Sequence, residues 1–437
     1  MRRTSGPTHV RLHMVAMLTL ITALTYVDRL NLGIAGKYIQ DEYAFSTQTM
    51  GWILSAFVLG YALFQVPGGW AGDRYGPRGV MTLAILWWSV FTAATALAPR
   101  LPLRNWIGLV GSFLVVRFLT GVGEAAAFPN SNKIIAFWLG RGRRGVGNAL
   151  FLMGIGVGGT LTPMGIAWIM QRWGWRMSFY VCGAIGLVVA AGWHLYATSR
   201  PEQHPRVNAE ELALIRASRE AEQAAAPAEK ARDVKVPWRK LLSSLSTWGL
   251  MLSYSCEAYP NYIFYTWFFL YLVRARGMTI HQGGIWGAAP FLGVLLLAPM
   301  GGWFSDWAVR RFGRRRGRQA TVWLGMTGSA LLLTLGAHTR GNILAILLLA
   351  GAMGLNLFAT PTWWAACIDL TQNFSGSLSA MMNMSGNLGG WISPILTAYI
   401  ATRFGWTYAL DFAAVITFLA ALLWIGVNAE ANLERRS

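Results

Sequence analysis

The chain has 437 residues, of which 54% are hydrophobic and 13% charged, with 22 Trp and 21 Phe, a balance too apolar for a soluble chain of this length. A formal net charge of +19 raises the question of nucleic acid, but the arginines gather between apolar stretches in alternate loops, as in a polytopic membrane protein. The three cysteines, Cys182, Cys256 and Cys367, all fall in apolar stretches without metal-like spacing, so they read as packing residues rather than disulfides or metal ligands.

Taken in chain order, MRRTSGPTHVRLHM precedes an apolar run that continues through Tyr26, Asp28 and Arg29 without a convincing cleavage site, so it reads as a retained helix and not a secretory signal. Apolar windows long enough to cross a bilayer as helices fall near 14–36, 50–71, 79–98, 107–138, 147–169 and 176–197. They resume near 246–273, 284–305, 320–338, 342–366, 377–400 and 408–427. The expected fold is all-α and membrane-embedded: twelve spans, with a six-helix bundle over 1–197, a charged linker over 198–245 and a second bundle over 246–437. Within the linker, Glu210 to Ala225 reads equally as an amphipathic surface helix or as part of a flexible tether, with no visible chemistry in either case.

Loop charges set the expected orientation. With both termini cytoplasmic, that face receives Arg2, Arg3, Arg11, Arg74, Arg78, Arg141, Arg143, Arg144, Arg310, Arg311, Arg314, Arg315, Arg316 and Arg318. The opposite loops hold one or two basic residues each, such as Arg172, Arg274, Arg276, Arg340 and Arg403.

The halves repeat. PGGWAGDRYGPRG from Pro67 is echoed by MGGWFSDWAVRRFGRRRG from Met300, placing Gly68 on Gly301 and Asp73 on Asp306, an offset of 306 − 73 = 233. TPMGIAWIMQRWGWR and SPILTAYIATRFGWT place Pro163 on Pro394, an offset of 231, and both prolines are expected to kink their helices. Parallel six-helix repeats are the mark of a rocking transporter with its site at the repeat interface, near mid-membrane.

Four ionisable residues lie inside the first half's apolar spans: Asp28 and Arg29 in the first, Arg117 and Glu124 in the fourth. An ionisable group at mid-bilayer costs about 2.5 to 3.5 kcal/mol on insertion scales, so such residues face a cavity or a partner. Asp28 with Arg29 reads as one tight pair. Arg117 and Glu124, seven residues or about two turns apart, share nearly the same face. Arginine stays charged at every pH and offers a planar fork to a carboxylate, which suits Arg29 and Arg117 to an anionic substrate. Proton coupling needs a carboxyl poised between burial, which favours the neutral acid, and a cation, which favours the ionised one. Asp28 and Glu124 are placed for it, although permanent structural ion pairs are the competing reading for all four. Offsets of 233 and 231 carry these four residues onto Asn261, Tyr262, Leu348 and Leu355, so the charge chemistry is expected in the first bundle.

The second bundle then supplies hydrogen bonds and aromatic walls, from Asn261, Tyr262, Thr360, Thr362, Trp363, Asn383 and Asn387. Gluing the bundle together is the alternative role for each polar group. Gly154, Gly156, Gly158 and Gly159, with Gly386, Gly389 and Gly390, are expected to allow close helix contact.

Gly69, Asp73, Arg74, Gly76 and Arg78, between the second and third spans, resemble the loop signature of the major facilitator superfamily. YVDRLNLGIAG in the first span, SAFVLGYALFQVPGG in the second and RFLTGVGEAAAFP in the fourth resemble its anion:cation symporter family. That family includes bacterial sugar-acid carriers, sialin and the vesicular glutamate carriers. The resemblance spans nearly the whole chain. It implies proton coupling at Asp28 and Glu124, a substrate contact at Tyr61, and gating at Gly69, Asp73, Arg74, Arg78 and Asp306. Asp73 would accept hydrogen bonds from a facing helix N-terminus and pair with arginines such as Arg141, Arg143 and Arg144, for which a purely topogenic role is equally open. The chain departs from the bacterial carriers in the fifth span, where MGIGVGG stands in place of a polar Gln, so the resemblance does not carry the substrate's identity.

The expectation is a monomeric symporter of a small organic anion, a sugar acid or related carboxylate, with protons, in a bacterial inner membrane. It needs no cofactor, metal or nucleic acid, and no nucleophile, base and orienter set marks an enzyme. Sodium coupling, uncoupled exchange and a transporter-derived sensor are the alternatives.

Overall fold

The computed structural model describes residues 6–139, 141–225, 238–371 and 375–431. Arg2 and Arg3 lie outside the described residues, as do the side chains of Arg141, Arg143 and Arg144. Among the described residues the chain forms twelve spans. The first six are α1 (Val10–Tyr43), α2 (Thr47–Tyr75), α3 (Pro77–Leu97), α4 (Arg104–Glu124, continuing as Ala127–Trp138), α5 (Arg141–Trp173) and α6 (Trp175–Tyr196). The second six are α7 (Leu245–Thr266), α8 (Ile280–Trp286, continuing as Ala289–Phe312), α9 (Arg314–His338), α10 (Asn342–Ala359, continuing as Pro361–Leu370), α11 (Ser375–Arg403) and α12 (Trp406–Leu423).

Ten of these spans are long and apolar enough to cross a membrane; among the described residues α7 and α11 are not. The physical reason is position. α7 and α11 pack against each other and face the first bundle through α1 and α2, so their Tyr, Ser, Asn and Glu side chains look inward instead of at lipid.

The duplication is written into the corners. Gly76, Gly174, Gly313 and Gly405 all take φ between 81° and 102°, the left-handed region that favours glycine, and each turns one span directly into the next. Gly174 and Gly405 are 405 − 174 = 231 apart, the same offset as the kink prolines. Interruptions are duplicated too: α4 breaks just before Phe128-Pro129 and α10 just before Pro361, where a proline ring cannot accept the preceding helical geometry.

The bundles meet on the half away from the termini. A Cβ on Gly33 of α1 would stand 2.8 Å from the Thr266 carbonyl oxygen of α7, and one on Gly51 of α2 would stand 2.8 Å from the Pro394 carbonyl oxygen of α11. The Ser55 hydroxyl donates to the Trp391 carbonyl at 2.8 Å, and Arg274 pairs with Asp41 at 2.7 Å on the outer rim. The expected glycine contacts also form: Gly154 and Gly158 lie on α1, Gly156 and Gly159 on Leu295 and Phe291 of α8, and Gly386, Gly389 and Gly390 on α7.

The linker carries chemistry that its sequence did not advertise. Its helix, Ala209–Ala225, buries Glu211 against the start of α1. Glu211 accepts from the Thr8 hydroxyl at 2.7 Å and from the backbone N–H groups of Val10 and Arg11 at 3.0 and 3.1 Å. The first N–H groups of a helix have no partner within it, so an acid from the linker caps α1 and meets the positive end of its dipole. Burial opposes ionisation of Glu211, but the Thr8 hydroxyl and the N–H groups of Arg11 and Val10 outweigh it and hold the carboxyl below the usual glutamate range. A depressed folded-state value contributes stability above the ordinary glutamate range, and that contribution is lost as the pH falls through the folded value. Glu211→Ala should therefore lower stability by about 1–2 kcal/mol at pH 7, with the gap to wild type closing as the pH falls through the folded-state value. Tryptophan-fluorescence melting of the two proteins across pH tests this; an equal deficit at every pH would contradict it.

Candidate functional site at the bundle interface

Asp28 and Arg29 are neighbours in sequence but point about 100° apart around α1, and they take different partners. The Arg29 Nε donates to Glu124 Oε1 of α4 at 2.5 Å, in a pair whose side chains are 8% and 0% exposed. Its guanidinium lies in an aromatic box, 4.6 Å from the Tyr61 ring centre, 5.2 Å from Tyr26 and 5.4 Å from Phe57. The tight Asp28–Arg29 pair read from the sequence is thus replaced by a bridge between α1 and α4.

That bridge leaves two charged groups over. Neither oxygen of Asp28 takes a hydrogen bond among the described residues, and neither do the Nε and Nη1 of Arg117. Both residues are only 2% exposed. Arg117 shares Phe57 with Arg29, lying 5.1 Å from its ring centre. Buried donors and acceptors are almost always paired, so a guanidinium and a carboxylate without hydrogen bonds inside these spans make this the candidate site. A narrow cavity lies here, lined by Arg29, Arg117, Phe57 and Leu54 from the first bundle and by Tyr262, Tyr265 and Thr266 from α7.

The polar residues of the second bundle divide. Tyr262 lines the cavity, and Asn387 of α11 reaches across to α2, donating to Gln65 Oε1 at 3.1 Å. Asn261 and Thr360 converge on a residue that sequence reasoning passed over, Glu257 of α7: Asn261 Nδ2 donates to its Oε1 at 3.0 Å and the Thr360 hydroxyl at 2.7 Å. The expectation that charge belongs to the first bundle alone is therefore wrong. Repeat arithmetic looked only for images of the four first-half charges, and Glu257 sits one helical turn before the image of Asp28; the signal was simply an acid inside an inward-facing span. Asn383 is half-buried on α11. Thr362 and Trp363 are not brought to the cavity, because the break before Pro361 turns them into the second bundle's own core. Thr362 meets the Ser305 hydroxyl at 3.3 Å, and Trp363 packs edge-on to Trp424 at 5.4 Å.

The loop acids at the termini's end are each held by a cation of their own bundle. Asp73 pairs with Lys133 at 2.6 Å, and Lys133 also donates to the Gly69 carbonyl. Asp306 lies 3.4 Å from Arg318, which also binds Asp369 at 3.0 Å. Arg78 donates to the His194 carbonyl at 2.6 Å, and Arg74 lies 5.8 Å from the Tyr75 ring centre. Lys133 was not anticipated as the partner of Asp73; its charge lies four residues past Pro129, on the continuation of α4.

A family sequence model, that of the Major Facilitator Superfamily, matches residues 18–311 and 250–436. The chain belongs to the Major Facilitator Superfamily. This superfamily member is 30% identical over 427 residues to a "probable sulfoacetate transporter" of Cupriavidus necator, covering 95% of this chain and 92% of that one. It is also 30% identical over 430 residues to a "probable galactarate/D-glucarate transporter" of Escherichia coli, covering 96% and 92%. Among solved structures it resembles the bacterial homologue of the lysosomal transporter Spinster, with TM-score 0.75 and 18% identity over 96% of this chain and 97% of that one. The E. coli xylose transporter XylE superposes with TM-score 0.70 and 16% identity, over 96% of each chain. The superfamily member is a multi-pass membrane transporter and not an enzyme.

In this transporter, removing one partner of the buried Arg29–Glu124 bridge strands the other charge, a loss of about 3–5 kcal/mol, whereas removing both strands neither. Arg29→Met and Glu124→Gln should each lower thermal stability strongly, and the double variant should lose clearly less than the two losses combined. Additive losses would show that the two groups do not interact.

Proposed function

We propose that this transporter moves a small organic anion, a sugar acid or related carboxylate, together with protons, by alternating access. The observation that carries the reading is the division of labour among four buried charges: Arg29 engaged by Glu124, and Arg117 and Asp28 beside them without hydrogen-bond partners among the described residues. Proton binding to Glu124 removes the counter-charge of Arg29. The substrate carboxylate then takes its place, with Arg117 supplying the second planar fork. Asp28 takes a further proton when the carboxylate engages Arg117, since two anions do not share one cation in a dry site. Names of the relatives support the substrate class, because sulfoacetate, galactarate and D-glucarate are all small acids.

The alternation of loop arginines supports cytoplasmic termini, and the bacterial relatives support an inner-membrane location. The half away from the termini is the one closed by Gly33, Gly51, Ser55 and Arg274, so this conformation is the cytoplasm-facing one. Its formed Arg29–Glu124 bridge fits that assignment: a carrier that has released its proton inward restores its internal ion pair before resetting. Tyr61 and Tyr262 form walls for the substrate, Asn383 and Asn387 supply hydrogen bonds from α11, and Asp73 and Asp306 hold their own bundles rigid at the gate. The transporter works as a monomer, since each bundle supplies half of one site.

Uptake of D-glucarate, galactarate and gluconate into proteoliposomes tests the reading. An inward proton gradient should drive accumulation, Glu124→Gln should abolish the gradient dependence, and Arg117→Lys should raise the half-saturating concentration at least tenfold by replacing a fork with a point charge. Uptake indifferent to the gradient, or untouched by Glu124→Gln, would overturn it.

A further inference from the structure

Glu257 has no part in the cycle described above, although it is only 2% exposed and stands in the span that faces the first bundle. Among the described residues no Lys, Arg or His nitrogen lies within 4.0 Å of its carboxylate. Its partners are neutral donors, Asn261 Nδ2 and the Thr360 hydroxyl, and both engage the same oxygen, Oε1. Asn261 is in turn braced against Asn356 Oδ1 at 3.0 Å, and Asn356 Nδ2 donates to the Glu257 carbonyl at 3.3 Å. The side chain is therefore fixed through one oxygen by a rigid polar cluster, while Oε2 takes no hydrogen bond among the described residues. A carboxylate has room for about four hydrogen bonds, and buried charges are normally paired.

Its stripe of α7 leads to the cavity of the arginines. Tyr254, Glu257, Asn261 and Tyr265 recur at i, i+3, i+7 and i+11, a single stripe of α7. Tyr265 lines the same cavity as Arg29 and Arg117, and its ring meets the edge of Tyr26 at 5.6 Å. Tyr26 in turn lies 5.2 Å from the Arg29 guanidinium and within electrostatic reach of Glu257. The first bundle thus brings two arginines to the cavity, while α7 carries, on the stripe that ends at Tyr265, a carboxylate with no cation against it among the described residues. A simple carboxylate satisfies only the arginines.

We propose that Glu257 is the binding group for a protonated amine, so that the preferred cargo is an amino-bearing carboxylate, its carboxylate on Arg117 and its ammonium on Glu257 Oε2. The proposal rests on the anion site described above and narrows its substrate class. Lining Asn261 and Thr360 up behind Oε1 orients the acceptor without neutralising it, which is what recognition of an ammonium requires. A hydroxyl at the same place on a ligand could donate only one hydrogen bond and would bring no charge.

Matched pairs of acids that differ by amine against hydroxyl test this: 2-amino-2-deoxygluconate against gluconate, aspartate against malate, and alanine against lactate. Binding to the purified full-length carrier is measured by calorimetry at pH 7 for wild type and for Glu257→Gln, a variant of nearly the same shape. In at least one pair the wild type should bind the amino acid tenfold or more tightly than its hydroxy partner. Glu257→Gln should bring that pair to within about twofold by weakening the amino acid alone. A wild type that never prefers the amine, or a variant that keeps the preference, overturns the role of Glu257 and leaves the anion site standing. Binding of no acid from any pair overturns both. The wild-type comparison requires no variant to fold.

Discussion

The Arg29–Glu124 bridge is the constraint around which the interior is arranged. It ties α1 to α4 at a depth where neither charge could stand alone, and it sets the fate of the other two ionisable groups by using up one cation and one anion. Such a bridge is weak evidence for stability, because desolvating both groups offsets most of their attraction. Its value lies in being breakable. The aromatic box of Tyr26, Phe57 and Tyr61 holds the Arg29 guanidinium in place whichever anion it faces, so its partner can change without the helix moving. Arg117, resting against the same Phe57, is the group left ready for a second anion.

Around this centre the two bundles are duplicated in backbone and divergent in chemistry. The positive-φ glycine corners and the proline breaks recur at corresponding places in both halves, because turning a span through a tight corner or interrupting it at mid-depth makes the same backbone demand in each half. Side chains facing the cavity carry no such demand. The first bundle puts arginines there and the second puts Tyr262, Tyr265 and Thr266. The unequal hydropathy of the spans follows from this, since α7 and α11 turn polar faces inward and have less apolar surface to offer lipid.

Much of this was legible in the sequence. Each of the twelve windows falls on one of the spans, and for ten of them length and apolar content leave the chain little choice. The repeat, the paired glycines and the four buried charges of the first bundle were likewise visible. Pairing was not, because partners are set by rotation about the helix axis and by which span lies across the gap. Asp28 and Arg29 adjoin in the chain yet diverge in space, and Lys133 reaches Asp73 only because the continuation of α4 lies against α2. Thr362 and Trp363 were misplaced because a single proline break redirects the face of α10. In the sequence Glu211 belongs to a stretch that reads equally as an amphipathic surface helix or a flexible tether, and only the docked linker reveals it as the cap of α1. Glu257 was missed because duplication was used to look for copies of known charges, whereas this acid has no counterpart in the first half.

The account's central claim is that a proton and a substrate carboxylate exchange places around Arg29. Proton uptake on binding reports this directly: a carboxylate that stabilises the purified carrier is added in weakly buffered detergent solution containing a pH indicator. The account predicts that binding draws protons from solution in wild type and draws fewer in Glu124→Gln. Binding with no proton uptake, or with the same uptake in Glu124→Gln, would contradict it.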